Sequence, residues 1–150
     1  MSIKVRLRKA KLTDIPLLII LDKQAFNRDF DNAFTENEFK NLINNSQTCC
    51  FLLYEKTVPI GFYIYTLLNN HLTEIVVIAI IPLYQKRGIG TIILKMLLNK
   101  IVKNNKVKVV THPKNSSALI LYLKNGFSIA QYVGFYYGAN QPRLILFNTL

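Results

Sequence analysis

The chain has 150 residues, 51% of them apolar, which is the length of one domain with enough hydrophobic matter for a core that needs no disulfide or metal staples. Lys and Arg number 19 against 8 Asp and Glu, and the resulting net charge of +11 favours polyanionic partners such as nucleic acid, an anionic surface or a phosphorylated cofactor. The longest apolar runs, 15–21 and 75–83, fall well short of the about 20 residues that a membrane-spanning helix needs, so membrane association is not expected.

Residues 3–8 alternate charged and apolar side chains and predict a strand; without the continuous apolar core of a signal peptide, this start points to a cytoplasmic protein. Thr13 is placed to cap a helix over 13–26, with Asp14 at its positive end and Pro16 in the first turn. Thr35 and Glu38 form a capping box that predicts a short helix to about residue 43. Strands are predicted over 48–54 and 60–68, around a turn at 56–59. The adjacent Cys49 and Cys50 point to opposite faces of the first of these, which excludes a disulfide scaffold. Asn69 and Asn70 mark the next turn, and residues 74–81 are apolar on both faces, as in a central strand buried on two sides. A helix follows over 88–103, with Ile89, Ile92, Ile93, Met96, Leu97 and Ile101 at helical spacing. Residues 107–111 read as a strand, 115–124 as a helix ended by Gly126, and 127–137 with 143–147 as a closing hairpin. His71 and His112 are isolated from each other and from other ligands, so no metal site is expected. The order β α α β β β α β α β β implies one α/β domain over 1–150, with a mixed, mostly antiparallel sheet of about seven strands, a parallel crossover in the middle, and about four flanking helices.

The most informative segment runs from Ile78, Ala79 and Ile80 through Pro82 to Gln85, Lys86, Arg87, Gly88, Ile89, Gly90 and Thr91. A buried strand enters a basic, glycine-containing turn that opens a long helix. A helix N-terminus has unpaired N–H groups and a partial positive charge, and glycine lets a phosphate approach the backbone, so the segment predicts a pyrophosphate cradle. It lacks the Gly-Lys-Ser/Thr of a Walker loop, and Ile93 stands where a dinucleotide fingerprint needs glycine. An ordinary strand-to-helix turn is the plainer alternative.

Gln85-x-x-Gly88-x-Gly90 after Ile80-x-Pro82 resembles the acetyl-CoA-binding motif of the GNAT acetyltransferase superfamily. Asn115, Ala118, Leu121, Tyr122, Gly126 and Phe127 resemble that family's Asn…Ala…Leu-Tyr…Gly-Phe segment. The resemblance covers nearly the whole chain and implies an N-acetyltransferase of the GNAT fold that uses acetyl-CoA. Amides at Arg87, Gly88, Gly90 and Thr91 would hold the pyrophosphate. The edge of the strand at Ile78–Ile80 would splay from its neighbour and pair with pantetheine, and Ile80 N–H would face the thioester oxygen. Asn115 would bond the pantetheine arm, and Tyr122 would act as general acid to the departing sulfur. For Asn115 a helix cap, and for Tyr122 a core aromatic, are the plain structural readings.

An amine acceptor with a pKa of about 10.4 must lose a proton before it attacks. Glu74, at the start of the central strand, is similar in place to the catalytic glutamate of the histone-acetyltransferase branch; a solvated strand-end acid is the alternative. Tyr136 and Tyr137 resemble the tyrosine pair of ribosomal-protein N-terminal acetyltransferases, which lines the acceptor peptide. That branch carries a glutamate base where this chain has Val110, so its base is not carried over. Six of the eight acids lie between Asp14 and Glu38, and Asp29 and Asp31 among them are placed to line an acceptor rim that attracts a cationic amine. The acceptor is then a peptide or protein amine or a small cationic amine, with no nucleic acid or membrane partner, acting as a monomer or homodimer. A basic nucleic-acid-binding module and a non-catalytic acetyl-CoA sensor are the competing functions.

Overall fold

The computed structural model describes residues 3–26, 32–101 and 105–148. Its elements are β1 (Arg6–Lys9), α1 (Ile15–Ala25), α2 (Glu36–Asn44), β2 (Thr48–Glu55), β3 (Val58–Asn69), β4 (Leu72–Ile80), α3 (Ile89–Lys100), β5 (Lys106–Thr111), α4 (Ser116–Lys124), β6 (Phe127–Val133) and β7 (Arg143–Asn148). They follow the order expected from the sequence. The seven strands form a sheet of order β1-β2-β3-β4-β5-β7-β6. The β1/β2, β2/β3, β5/β7 and β6/β7 pairs are antiparallel, and β4/β5 is parallel across the α3 crossover. The mixed, mostly antiparallel sheet with four helices is the architecture the sequence predicts.

Two compact units make up the chain, Met1–Thr66 with Val76–Gly90, and Leu67–Ile75 with Thr91–Leu150. In the first, α1 turns Ile15, Leu18 and Leu21 inward and α2 contributes Phe39, against Cys50 and Leu52 of β2, Phe62 and Ile64 of β3, and Ala79 of β4. Phe39 sits edge-on to Phe62 with centroids 5.7 Å apart, a geometry that adds to the area it buries. The Thr35–Glu38 capping box forms as expected, with reciprocal bonds of 3.1 Å. Cys50 is an inert core thiol, pushed up to about 12 by burial. In the second unit the core is built from Ile75, Ile93, Leu94, Leu97, Val107, Val109, Phe127 and Leu146.

Several boundaries differ from the sequence expectation. Thr13 does not cap α1. Residues Leu12–Asp14 form a 3-10 turn, and Asp14 takes the N-cap position. Its carboxylate accepts Lys11 N–H at 2.8 Å and both arms of Arg8 at 2.9 and 3.0 Å, which winds the chain a turn early. The Arg8 hydrogen bonds hold the Asp14 carboxyl below its ordinary value. Helix α3 ends at Lys100, and residues 102–103 of the expected helix lie outside the described residues. Its buried stripe includes Leu94, while Ile92 and Met96 are exposed. Strand β4 is fully buried at Thr73, Ile75 and Ala79 but only half-buried at Val76, Val77, Ile78 and Ile80, so it is less enclosed than a two-sided core strand. Strand β6 stops at Val133, because Gly138 and Asn140 take positive φ and turns bonded Gly138 N–H to Phe135 O and Gln141 N–H to Gly138 O replace the ladder.

One glycine sets the spacing of β3 and β4. A Cβ at Gly61 would stand 2.0 Å from the Ala79 carbonyl oxygen and 3.2 Å from Ile80 Cα, both backbone atoms that cannot swing aside. Ile81 N–H donates to Ile60 O at 2.9 Å just beyond this approach. Gly61→Ala is expected to lower unfolding free energy by at least about 2 kcal/mol in urea titrations, since overpacked backbone must shift. An unchanged midpoint would show that the strands part freely.

Candidate active site

The end of β4 divides its hydrogen-bonding groups between two sides. Backbone groups of successive strand residues point alternately. Ala79 O faces Gly61 and Ile81 N–H bonds Ile60 O, so residues 79 and 81 address β3. Residues 78 and 80 face the other way. The parallel ladder with β5 runs from Leu72↔Lys106 to Ile75↔Val109, and β4 continues to Ile80 beyond it. Among the described residues, the outward groups of Ile78 and the N–H of Ile80 therefore have no ladder partner. Ala79, expected to share that edge, instead turns its carbonyl to β3 and its side chain into the core.

The turn after β4 starts with a 3-10 turn at Pro82–Tyr84, and Gln85 N–H is taken by Pro82 O at 3.2 Å. Gln85 Nε2 donates to Ile80 O at 2.8 Å and to Ala25 O at 3.3 Å. This corrects the expected role of Gln85. Its side-chain amide and its main-chain N–H are both spent on the protein, and it braces the turn rather than facing a ligand. The available donors begin one residue later. Among the described residues, no turn, loop or side-chain acceptor takes the N–H groups from Lys86 to Gly90.

Lys86 has φ 60° and Gly88 φ 81°. Positive φ at a lysine costs about 1 kcal/mol, and such strain collects at functional turns. Alternation into the left-handed region also turns successive N–H groups toward one point, the geometry of an anion-binding concavity. Gly88 is exposed, and no atom lies within 4 Å of where its Cβ would stand. Its φ, not crowding, calls for glycine, and the space above it is open. Ile89 is buried and anchors the first turn of α3, while Gly90 and Thr91 are half-buried. Lys86 and Arg87 are exposed, with the Arg87 guanidinium 5.2 Å from the Tyr84 ring centroid. Open N–H groups, a glycine-dependent turn and two cations suit a diphosphate well.

In the second unit Asn115 caps α4. Its Oδ1 accepts Ala118 N–H and Ser117 Oγ, both at 3.3 Å, which leaves its Nδ2 without a described acceptor. The cap therefore does not exclude a ligand bond from the amide nitrogen. Tyr122 is buried on α4, with Phe127 edge-on at 5.2 Å, and burial pushes its phenol far above the ordinary tyrosine value. Glu74 lies opposite Lys108 in the β4/β5 ladder and pairs with its Nζ at 3.5 Å. Positions 74 and 80 are six steps apart along β4, about 20 Å of strand at the usual rise. Val110 pairs with Ile145 and offers no acid.

Tyr136 and Tyr137 fall in the turns of 134–142 rather than in a strand, with ring centroids 4.7 Å apart and planes at 81°. Arg143, buried at the start of β7, stacks on Tyr137 at 4.9 Å. Sequence reading missed this guanidinium, along with Gly61 and the Tyr84 ring beside Arg87. A glycine inside an apolar strand was a legible sign of close backbone approach. The two aromatic–cation pairs had no sequence signal beyond proximity in the chain. Asp29 and Asp31, expected at the acceptor rim, lie outside the described residues. The described residues contain no His, Cys, Asp and Glu cluster able to hold a metal and no helix long and apolar enough to cross a membrane.

A model of the GNAT acetyltransferase family matches residues 18–127, most of the chain, and the chain belongs to that family. It is an acyltransferase of the N-acetyltransferase type whose acyl donor is acetyl-CoA. A search of curated protein sequences gave no match. Among solved structures, the ribosomal-protein-S18-alanine N-acetyltransferase of Escherichia coli is similar with a TM-score of 0.80, at 21% identity over 97% of this chain and 93% of that one. A spermidine N-acetyltransferase chimera of the Vibrio cholerae enzyme and hSSAT gives 0.79, at 18% identity over 96% and 94%. The PaiA N-acetyltransferase of Thermoplasma acidophilum, in complex with coenzyme A, gives 0.77, at 18% identity over 98% and 99%. At these identities the likeness is one of fold.

Gly88→Val is expected to weaken coenzyme A binding at least about tenfold by calorimetry while far-UV dichroism stays native, because the branched side chain is strained at positive φ and fills open space. Undiminished affinity removes this turn from cofactor binding.

Proposed function

We propose that the chain transfers the acetyl group of acetyl-CoA to a primary amine by direct attack within a ternary complex. The reading rests on one observation above all: N–H groups from Lys86 to Gly90 that no acceptor among the described residues takes, at the start of a helix and next to two cations. Acetyl-CoA supplies an activated thioester when bound. Main-chain N–H groups of Arg87, Gly88, Gly90 and Thr91, with the charge of Lys86 and Arg87, bind its diphosphate, and Ile89 holds the helix start in place. The outward edge at Ile78 and Ile80 suits the amide-bearing pantetheine arm, and in the second unit Asn115 Nδ2 is a donor of the kind such an arm accepts. Ile80 N–H donates to the oxygen on which negative charge develops, where a preorganised donor is worth most. Tyr122, kept neutral by burial, holds a proton on its hydroxyl for the departing sulfur.

The base is a separate matter. The about 20 Å of strand between Glu74 and Ile80 puts the carboxylate beyond direct reach of an amine attacking there. Glu74 and Lys108 instead form a charge pair at the start of β4.

The acceptor amine belongs to a peptide or protein, or to a small cationic molecule. Enzymes of this fold include one for the alanine of a ribosomal protein and one for spermidine. The Tyr136–Tyr137 pair favours the peptidic class. Its connection, residues 134–142, offers aromatic faces and no carboxylate, and Arg143 already occupies one face of Tyr137. A polyamine needs carboxylates to balance its charge. Free-thiol release with acetyl-CoA across a panel of N-terminal peptides, lysine peptides and polyamines tests this. Turnover confined to polyamines refutes the peptidic assignment, and no turnover with any amine refutes the transfer itself.

Two substitutions separate the roles. Tyr122→Phe should lower kcat about 100-fold and leave coenzyme A affinity within twofold. Because burial raises the Tyr122 phenol, it stays protonated throughout the working range. The wild-type rate should therefore not fall as pH approaches the ordinary tyrosine value of about 10. A full rate in the phenylalanine variant acquits the hydroxyl. Glu74→Gln, in turn, should leave the pH dependence of kcat/KM where it is, and a displaced alkaline limb would restore Glu74 as the base.

A further inference from the structure

We infer that Tyr84 is a positioning residue for Arg87, its ring serving as the platform that aims the guanidinium at a cofactor phosphate. The inference rests on the cradle reading above and adds to it a side chain that no family motif marks. Tyr84 closes the 3-10 turn between β4 and the cradle, three residues before Arg87. The Arg87 guanidinium lies 5.2 Å from its ring centroid, within cation–π range. Among the described residues no carboxylate forms an ion pair with Arg87, so its charge is not neutralised where it rests. Glu55, the last residue of β2, is near the Tyr84 hydroxyl, which can donate to its carboxylate, and this raises the phenol from its ordinary value. The acid addresses the hydroxyl end of the ring and not the guanidinium on its face.

The arrangement answers a specific difficulty. An exposed arginine loses several rotamers when it binds a phosphate, and that entropy opposes binding. A guanidinium already lying on an aromatic face has given up part of that freedom. A planar cation also keeps its edge N–H groups available while its face is stacked, which an ammonium does not. Lys86, with no such platform and a left-handed backbone, contributes charge to the turn without a fixed direction. Of the two cations of the motif, Arg87 is the directed one.

Calorimetry with coenzyme A tests the pairing through four proteins: wild type, Tyr84→Ala, Arg87→Ala and the double variant. Tyr84→Ala should weaken binding about two- to fivefold, the worth of an exposed cation–π contact. The same change made on Arg87→Ala should have no further effect, because the ring acts only through the guanidinium. Tyr84→Phe, which keeps the face and loses the bond to Glu55, should fall between wild type and Tyr84→Ala. In turnover assays the loss should appear in KM for acetyl-CoA with kcat unchanged. Equal losses from Tyr84→Ala in both backgrounds, or tighter binding on removal of the ring, overturn the inference while leaving the cradle standing. A wild-type chain that binds no coenzyme A overturns the cradle and this inference together.

Discussion

A β-strand has two hydrogen-bonding edges, and β4 spends them differently. Its edge toward β3 is closed so tightly at Ala79 that only glycine fits opposite. Its other edge is paired with β5 through Ile75 and then, among the described residues, continues without a ladder to Ile80. A strand that is committed on one side and open on the other, inside a sheet, is costly to leave unsatisfied, since buried N–H and C=O groups normally find partners. An extended ligand bearing amides is the natural complement of such an edge. The tight β3 contact is what keeps the open edge in place.

The cradle follows from the same strand end. Gln85 returns its side chain to Ile80 O, Lys86 enters the left-handed region, and Gly88 does so again before α3 begins. From Lys86 onward, no acceptor among the described residues takes the main-chain N–H groups, so the turn reaches the helix start with those donors unspent. The surrounding charge acts on the same site from a distance. A chain of net charge +11 attracts a phosphate-rich cofactor over a distance, whichever donors meet it.

Much of this was legible in the sequence, and the reasons differ by element. The order of strands and helices came from apolar periodicity, and the Thr35–Glu38 box and Asn115 cap were visible because caps depend on near neighbours. The turn at Gln85 through Gly90 was visible because glycine and charge cluster there. What stayed hidden depends on side-chain contacts and backbone conformations that the residue pattern does not mark. The shift of the α1 cap from Thr13 to Asp14 is driven by Arg8 on a strand. The retreat of Tyr136 and Tyr137 from strand to turn follows from positive φ at Gly138 and Asn140, which a pattern of aromatic residues masks.

The side-chain amide of Gln85 has two hydrogens and uses each on a different carbonyl, one ending β4 and one ending α1. A helix terminus and a strand terminus that are far apart in the chain thus hang on a single nitrogen. A carboxylate of the same shape would turn two attractions into two repulsions between oxygens. Keeping both links requires a donor with at least two hydrogens, and a slackening of the helix end would reach the turn that follows β4.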